Sequence, residues 1–400
     1  MKKLVILGLA LLYLGSALFA DDSKVMPMMV GRVYAVPTFS FANGEYNSSG
    51  KLQKYDSAVK LFNLGFALEY GVINWITFAA QWTPGWTPWS DVSGATSATT
   101  LLQNFNSTSD VNTNGVADLF VGAKIQIVGE KAPVKTTMFR FAVAPGVIIP
   151  FSGPNFEDEV NNVKNSDTAT ISKMDNHVFG AGGRFYFDYI INQHFFINLY
   201  NETIIYPVKQ KLNKDGPNLS AAKGLIPQGV YKGVYDGVMA QTGGDVGTST
   251  TYATNAMNAA KADLQNASGD VNYQYRLTFE IEPQYSFNLN KGIIFSAGLP
   301  FNYRYMPAYS YSISGVGTAL KTNFASFDLD SEELLNAQLV NKAQHALSIN
   351  PNIDFFFTSM ALPLEFKLQY YIPAWGQNTM ARNNLALQIK AYFALPGRPQ

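Results

Sequence analysis

The chain has 400 residues, only 14% of them charged, with 29 basic against 29 acidic side chains and no cysteine. A formal net charge of zero removes the electrostatic case for nucleic acid or an anionic surface as a partner. The missing thiols exclude disulfides, thiolate metal sites and a lipidated cysteine.

In chain order, Lys2 and Lys3 open a basic start, Leu4 to Phe19 is apolar, and Ser16, Ala17 and Ala20 are small residues ahead of Asp21. Residues 1–20 therefore read as a cleaved secretory signal. The run is shorter than the ~20 residues of a spanning helix, and no later stretch is apolar enough for one. Residues 21–400 read as one domain, in which period-two alternation, the mark of strands, recurs. It places strands near Val30–Phe41, Ala58–Gly71, Trp75–Thr83, Gly115–Val128, Thr137–Pro150, Asn176–Ile190, His194–Val208, Val271–Leu289, Gly292–Tyr311, Ala343–Thr358, Pro363–Trp375 and Asn384–Leu395. The clearest run is Val271 to Phe287, where Tyr273, Tyr275, Leu277, Phe279, Ile281, Tyr285 and Phe287 share one face. That length exceeds the ~5–6 residues of an ordinary soluble strand.

The connections alternate between short turns and long polar segments. Short ones fall at Val72–Asn74, Gly129–Thr136, Ile191–Gln193, Asn290–Lys291 and Ser359–Leu362; long ones at Ala42–Ser57, Pro84–Asn114, Phe151–Asp175, Lys209–Asp270, Ser312–Lys342 and Gly376–Asn383. About twelve strands with loop lengths segregated in this way predict an all-β fold. Specifically, they predict a transmembrane antiparallel β-barrel with short periplasmic turns and long extracellular loops at 209–270 and 312–342. The first of these loops is expected to be mobile or folded over the pore, and the second to hold a short helix capped by Asp330 or Ser331. Tyr70, Trp75, Tyr189, Phe195 and Tyr285 near one rim, and Trp82, Tyr206, Tyr273, Tyr305 and Tyr309 near the other, read as two aromatic girdles.

Parity assigns the charges to the lumen, because an Arg or Lys facing mid-bilayer lipid costs roughly 2–4 kcal/mol. The constriction candidates are Arg140, Arg184, Asp188, Glu202, Arg276, Glu280, Glu282, Arg304, Asp354, Glu365 and Lys367, with Arg32, Glu69, Lys124 and Lys390 also facing inward. The signs balance, so two readings stay open: ion pairs that close a narrow barrel, or a constriction that contacts solute. Prolines inside strands, among them Pro37, Pro145, Pro283, Pro300, Pro307 and Pro351, predict bulges or bends, and one such kink would open a lateral path between strands. The three histidines, His177, His194 and His345, lie too far apart for a shared metal site, and Asp175 near His177 is the sole rim-hydrolase candidate. His345 and Ser348 fall on opposite faces. No enzyme, metal or cofactor is expected.

The segment Gly115-Val-Ala-Asp118-Leu-Phe-Val-Gly122-Ala-Lys124, followed by Phe139-Arg-Phe-Ala-Val-Ala-Pro145-Gly-Val-Ile-Ile-Pro150, resembles the G-x-x-D-x-x-x-G-x-K strand and its A-x-x-P-x-x-x-x-P partner in outer-membrane barrels of the phenol-degradation meta-pathway type. More broadly the chain is similar to spirochaetal outer-membrane barrels compared with FadL-like transporters. The resemblance implies uptake of small hydrophobic or aromatic compounds. Only Asp21 to Met29 precede the first strand, too few for the N-terminal plug of FadL-like barrels. The expected protein is a monomer in outer-membrane lipid, inserted by the barrel-assembly machinery and passing a small-molecule solute. The alternative is a closed barrel whose surface loops act as an adhesin or bind partners.

Overall fold

The computed structural model describes residues 23–91, 115–116, 119–150, 178–211, 217–290, 292–314 and 343–394. The signal segment, Asp118, Asp175, His177, Lys291 and the helix expected after Asp330 lie outside them. The strands are β1 (Val30–Tyr46), β2 (Leu52–Ile73), β3 (Ile76–Asp91), β4 (Gly115–Val116), β5 (Leu119–Val128), β6 (Phe139–Ile149), β7 (Gly180–Ile190), β8 (Phe195–Ile205), β9 (Gln210–Lys211) and β10 (Ser268–Asn272). They continue with β11 (Tyr275–Asn290), β12 (Ile293–Gly298), β13 (Phe301–Met306), β14 (Ser310–Ser314), β15 (Gln344–Ile349), β16 (Asn352–Phe357), β17 (Leu364–Gln377) and β18 (Thr379–Ala394). Two helices, α1 (Pro217–Gln241) and α2 (Val246–Leu264), fall between β9 and β10.

The strands form a closed antiparallel barrel of 12 staves. Closure is made by β1 against β18, in register from Val30↔Ala394 to Tyr46↔Thr379. Two staves are interrupted. The long β11 pairs with β12 below and β13 above, and β17 with β16 below and β15 above. The breaks fall at Leu299-Pro300 and Asn350-Pro351, because a proline cannot donate to the ladder. The Asn350 N–H donates to the Pro300 carbonyl at 2.8 Å, and the Tyr370 N–H to the Pro351 carbonyl at 3.0 Å, so the interrupted staves stay stitched.

The wall is inverted relative to a soluble protein. Val33, Phe66, Leu68, Phe78, Phe185, Phe279, Ile281, Leu368 and Leu385 are exposed on its outside, while Arg32, Arg140, Asp188, Glu202, Glu282, Asp354, Glu365, Lys367 and Lys390 are buried inside. The parity argument therefore orients every described charge it named among these. No helix among the described residues is long and apolar enough to cross a membrane.

Several boundaries move. The segments 42–57 and 376–383 are mainly strand. β1 and β2 continue to a turn in which Asn47 Oδ1 accepts from the Ser49 and Lys51 N–H groups and Gly50 adopts φ 74°, and β17 meets β18 at Asn378 alone, with φ 50°. These outer ends stand in water, where neither face needs to be apolar and alternation disappears. Crossing takes only ~9–11 residues, whereas β2 has 22. Above Tyr371↔Asn384 the two strands of this last hairpin cease to pair, while on their other edges β17 stays paired with β15 and β18 with β1. The Tyr46 hydroxyl donates to the Pro373 carbonyl at 3.2 Å on this seam.

The 209–270 segment is a helical hairpin rather than irregular chain. Ile226, Val230 and Val234, spaced by four, meet Ala253, Ala260 and Leu264 in a core of their own. Helix α2 starts at Asp245, whose carboxylate accepts from the Thr248 N–H at 3.1 Å and the Thr248 hydroxyl at 2.6 Å. The run Val271–Leu289 is likewise two elements. Gln274, at φ 60°, separates β11 from β10, which joins β9 and β14 in a small sheet outside the barrel wall.

Two outcomes follow. Leu68→Arg on the lipid face is expected to lower barrel stability by about 2–4 kcal/mol in a urea titration in lipid vesicles, whereas Thr83→Arg, facing the lumen, loses far less. The Asp245 carboxyl is held below its usual range by the Thr248 hydroxyl and N–H. Its support for α2 is therefore complete above the ordinary Asp value near 4 and is lost as pH falls through the depressed one. Amide hydrogen exchange in the first turn of α2 should rise there, and at all pH values in Asp245→Ala.

Candidate lumenal site

The inward faces build three layers, one above another. At the short-turn rim the N-terminal residues enter the barrel. The Ser23 N–H and hydroxyl donate to the Asp188 carboxylate at 2.9 and 2.6 Å, Gln126 Nε2 donates to the Ser23 carbonyl at 3.0 Å, and the Met26 N–H donates to Thr77 Oγ1 at 2.7 Å. The chain then turns at Pro27–Val30, with Met29 at φ 61° and its N–H on the Gly71 carbonyl at 2.8 Å. Gly71 is required at that point, since a Cβ would lie 2.1 Å from the Pro27 carbonyl oxygen. Asp21 to Met29 are too few for a FadL-type plug, yet the described part, from Ser23 on, still lies inside the lumen. In a narrow barrel a single extended segment spans the lumen, and polar wall groups fix it.

Beside this segment the wall is solid. Met26 packs with Val30, Phe356 and Tyr392. Glu365 takes the Lys390 ammonium and the Tyr392 hydroxyl, both within hydrogen-bonding reach, and Glu365 and Lys390 are fully buried. Arg32 donates to Tyr392 at 3.2 Å and to Glu69 at 2.5 Å. Asp354 and Lys367 face each other across β16 and β17, and Glu282 accepts from Asn352 at 2.9 Å. A Cβ on Gly298 would sit 2.1 Å from Glu282 Oε1, so the glycine makes room for that carboxylate.

The middle layer encloses a cavity of about 350 Å³. Its floor is Lys24, Val25 and Met26; among the described residues its wall carries Arg32, Lys124, Arg184 and Arg304 together with Glu69, Glu202 and Glu280. Glu202 holds two arginines, Arg184 at 2.7 Å and Arg276 at 3.0 Å. Arg184 also donates to Gln81 at 2.5 Å and lies 3.7 Å over the Phe120 ring. The Lys124 ammonium stands 3.9 Å over Tyr186, which is paired with Tyr200 at 5.2 Å. Glycines clear the space: Gly122, Gly146 and Gly182 lie side by side across β5, β6 and β7, and a Cβ at Gly146 would come within 2.4 Å of Phe120. The Gly122 and Lys124 of the G-x-x-D-x-x-x-G-x-K pattern therefore both face this cavity.

Above it lies an apolar layer. Phe120, Ile148, Val178, Ile204 and Tyr206 are buried together, with Tyr273 against them. Tyr273 meets Tyr309 edge-on at 4.7 Å and Tyr206 at 6.2 Å. Three residues expected in the outer girdle, Tyr206, Tyr273 and Tyr309, therefore belong to the mouth of the lumen. The Gln274 kink turns Tyr273 inward, and the Gln274 carbonyl accepts the Tyr206 N–H at 2.8 Å. Tyr275, Tyr305, His345 and Trp375 make the outer-wall cluster instead. His345 engages the Tyr303 hydroxyl at 2.7 Å.

The eleven candidates thus do not form one ring. Arg184, Glu202 and Arg276 meet, with Glu280 and Arg304 on the same cavity; Asp188 fastens the N-terminal segment, with Arg140 at 3.5 Å behind its carboxylate; Glu282, Asp354, Glu365 and Lys367 fill the short-turn half. Parity alone did not select Phe120, Tyr186, Ile204 or Tyr206 as site residues. Their signal was an aromatic or aliphatic residue in phase with the charged face. Among the described residues no group of three His, Asp or Glu side chains is placed to hold a metal ion.

No family profile matches the chain, and no curated protein matches it. Among solved structures it is similar to an outer membrane channel from Pseudomonas putida F1, at 11% identity and TM-score 0.52, over 94% of this chain and 100% of that one. That likeness establishes the fold. The toluene transporter of Ralstonia pickettii aligns at 8% identity and TM-score 0.33 over 92% of this chain and 90% of that one, and a Bordetella autotransporter β domain at 8% and 0.35 over 92% and 100%; likenesses of that order carry no functional weight. The architecture is that of an outer-membrane β-barrel.

Removing the Asp188 carboxylate, as in Asp188→Ala, should release the N-terminal segment. Protease added on the short-turn side is expected to trim it from the folded barrel, with single-channel conductance rising; protection equal to wild type would count against the fastening.

Proposed function

We propose that the chain is a passive outer-membrane channel for small solutes with apolar or aromatic parts. The observation that carries this reading is the order of layers. An aromatic mouth of Tyr206, Tyr273 and Tyr309 sits on Phe120, directly above an enclosed cavity, with a thin N-terminal segment as its floor. Such a mouth strips water from an apolar solute and favours its entry, since burying apolar surface gains about 25 cal/mol per Å². The paired charges below narrow the path without a covalent step. Solute moves down its own gradient and leaves past Ser23–Met26, which one carboxylate and a few hydrogen bonds hold in place.

The balanced bridges in the short-turn half serve closure and the middle cavity serves passage, so the two open readings of the lumenal charges apply at different heights. Passage of this kind involves no covalent step and so calls for no catalyst or cofactor. The chain as a monomer, its insertion by the barrel-assembly machinery and cleavage near Ala20 belong to this same reading. A second reading, partner recognition by the long-loop surface, is favoured by α1 and α2 alone, which possess a self-contained core.

Planar-bilayer recording on the purified, folded chain tests the channel. Discrete conductance steps are expected, and Gly146→Leu, which drives a side chain against Phe120, should reduce them severalfold. Complete absence of conductance and solute flux would leave only the recognition reading. Tyr206→Ala with Tyr273→Ala should weaken the preference for aromatic over sugar solutes in vesicle swelling.

A further inference from the structure

We propose that Glu282, together with the Asn350 amide, seats a single monovalent metal cation, sodium or potassium, in the wall below the middle cavity. The inference goes beyond the channel reading and does not depend on solute passage. Glu282 is 3% exposed. Its partners among the described residues are two neutral amides: Asn352 Nδ2 donates to Oε1 at 2.9 Å, and Asn198 Nδ2 to Oε2 at 3.5 Å. Both oxygens accept and neither donates, which is the pattern of an ionised carboxylate. The buried carboxylates of Glu69, Asp188, Glu202 and Glu365 each meet an arginine or a lysine. Glu282 meets neither among the described residues, and a buried charge without a counter-charge is costly.

A second observation lies in the same row of the wall. The strand registers set Asn198 beside Glu282, Glu282 beside Pro300, Pro300 beside Asn350 and Asn350 beside Tyr371. Asn350 is fully buried, and neither its Oδ1 nor its Nδ2 has a hydrogen-bond partner among the described residues. A buried carboxamide in that condition calls for a ligand. Pro300, between the two, has no side-chain polar atom to satisfy either. Gly298 leaves room for the Glu282 carboxylate to cross to β16, where it reaches Asn352, two residues from Asn350. The carboxylate and the unbonded amide therefore converge on one space. A single carboxylate matches a single positive charge, whereas calcium sites gather ~6–8 oxygens, commonly from several carboxylates. Gln369 and Tyr371, next to this row, line the middle cavity, which gives the ion its way in.

The test is urea unfolding of the full chain in lipid vesicles, in sodium, potassium or N-methyl-D-glucamine chloride at equal concentration. A cation held only by the folded barrel should make the unfolding constant about fivefold smaller in sodium or potassium than in the organic cation. Glu282→Gln should bring that ratio to one, and Asn350→Ala should lower it. The wild-type comparison stands even where Glu282→Gln fails to fold. Equal wild-type stability in all three salts overturns the proposal, since the carboxyl is then protonated or merely hydrated. A difference that survives in Glu282→Gln overturns it as well, because the ion then binds elsewhere. Stabilisation by calcium chloride without a response to sodium or potassium overturns the monovalent assignment.

Discussion

Everything in this molecule depends on closure of the hydrogen-bond ladder between β1 and β18. Inside hydrocarbon an unpaired backbone N–H or carbonyl costs several kcal/mol, so a sheet survives there only as a ring without edges. The pairing from Val30↔Ala394 to Tyr46↔Thr379 supplies that ring. Once the ring closes, orientation is no longer free: period-two side chains must place one set toward lipid and the other toward a confined interior. The outward set, Phe66, Leu68, Phe78 and their neighbours, can be large and apolar because lipid solvates it. The inward set has no such solvent and must satisfy itself.

That demand explains the graded character of the lumen. Toward the short-turn rim, Arg32, Glu69, Glu365, Lys390 and Tyr392 form a continuous network in which each described charge meets a partner. Removing one member of such a buried pair is costly because it strands the other. In the middle, glycines replace side chains and the network opens into a cavity, where Arg184 is held between a carboxylate, an amide and an aromatic face. At the mouth the inward positions become apolar. The interior therefore changes from bonded to hollow to greasy within one set of staves, and a solute meets these environments in the reverse order.

The hairpin of α1 and α2 and the small sheet of β9, β10 and β14 are a different kind of structure, set on a rim where water removes the lipid constraint. Their stability is local. Ile226, Val230 and Val234 bury against alanines of α2, and Asp245 begins the second helix. Composition rich in Gly, Ala, Ser and Thr hid these helices, because small residues at helical spacing give a weak apolar stripe.

Sequence alone determined the class of fold, the staves and the direction of each described lumenal charge, since a two-residue period in a lipid-bound wall admits only one orientation. The in-strand prolines were a weaker guide: Pro300 and Pro351 fall where staves break, but Pro37, Pro145 and Pro283 lie in strands whose register runs on without a bulge. Tertiary structure decided which inward residues share a height. It gathered Arg184, Glu202 and Arg276 from β7, β8 and β11, separated Arg140 and Asp188 from them, turned Tyr206, Tyr273 and Tyr309 into a mouth, and drew Ser23–Met26 across the lumen. Parity specifies a face but not a level, because level depends on strand tilt, on bulges and on a single backbone reversal such as Gln274. Those are properties of the closed ring rather than of any one strand.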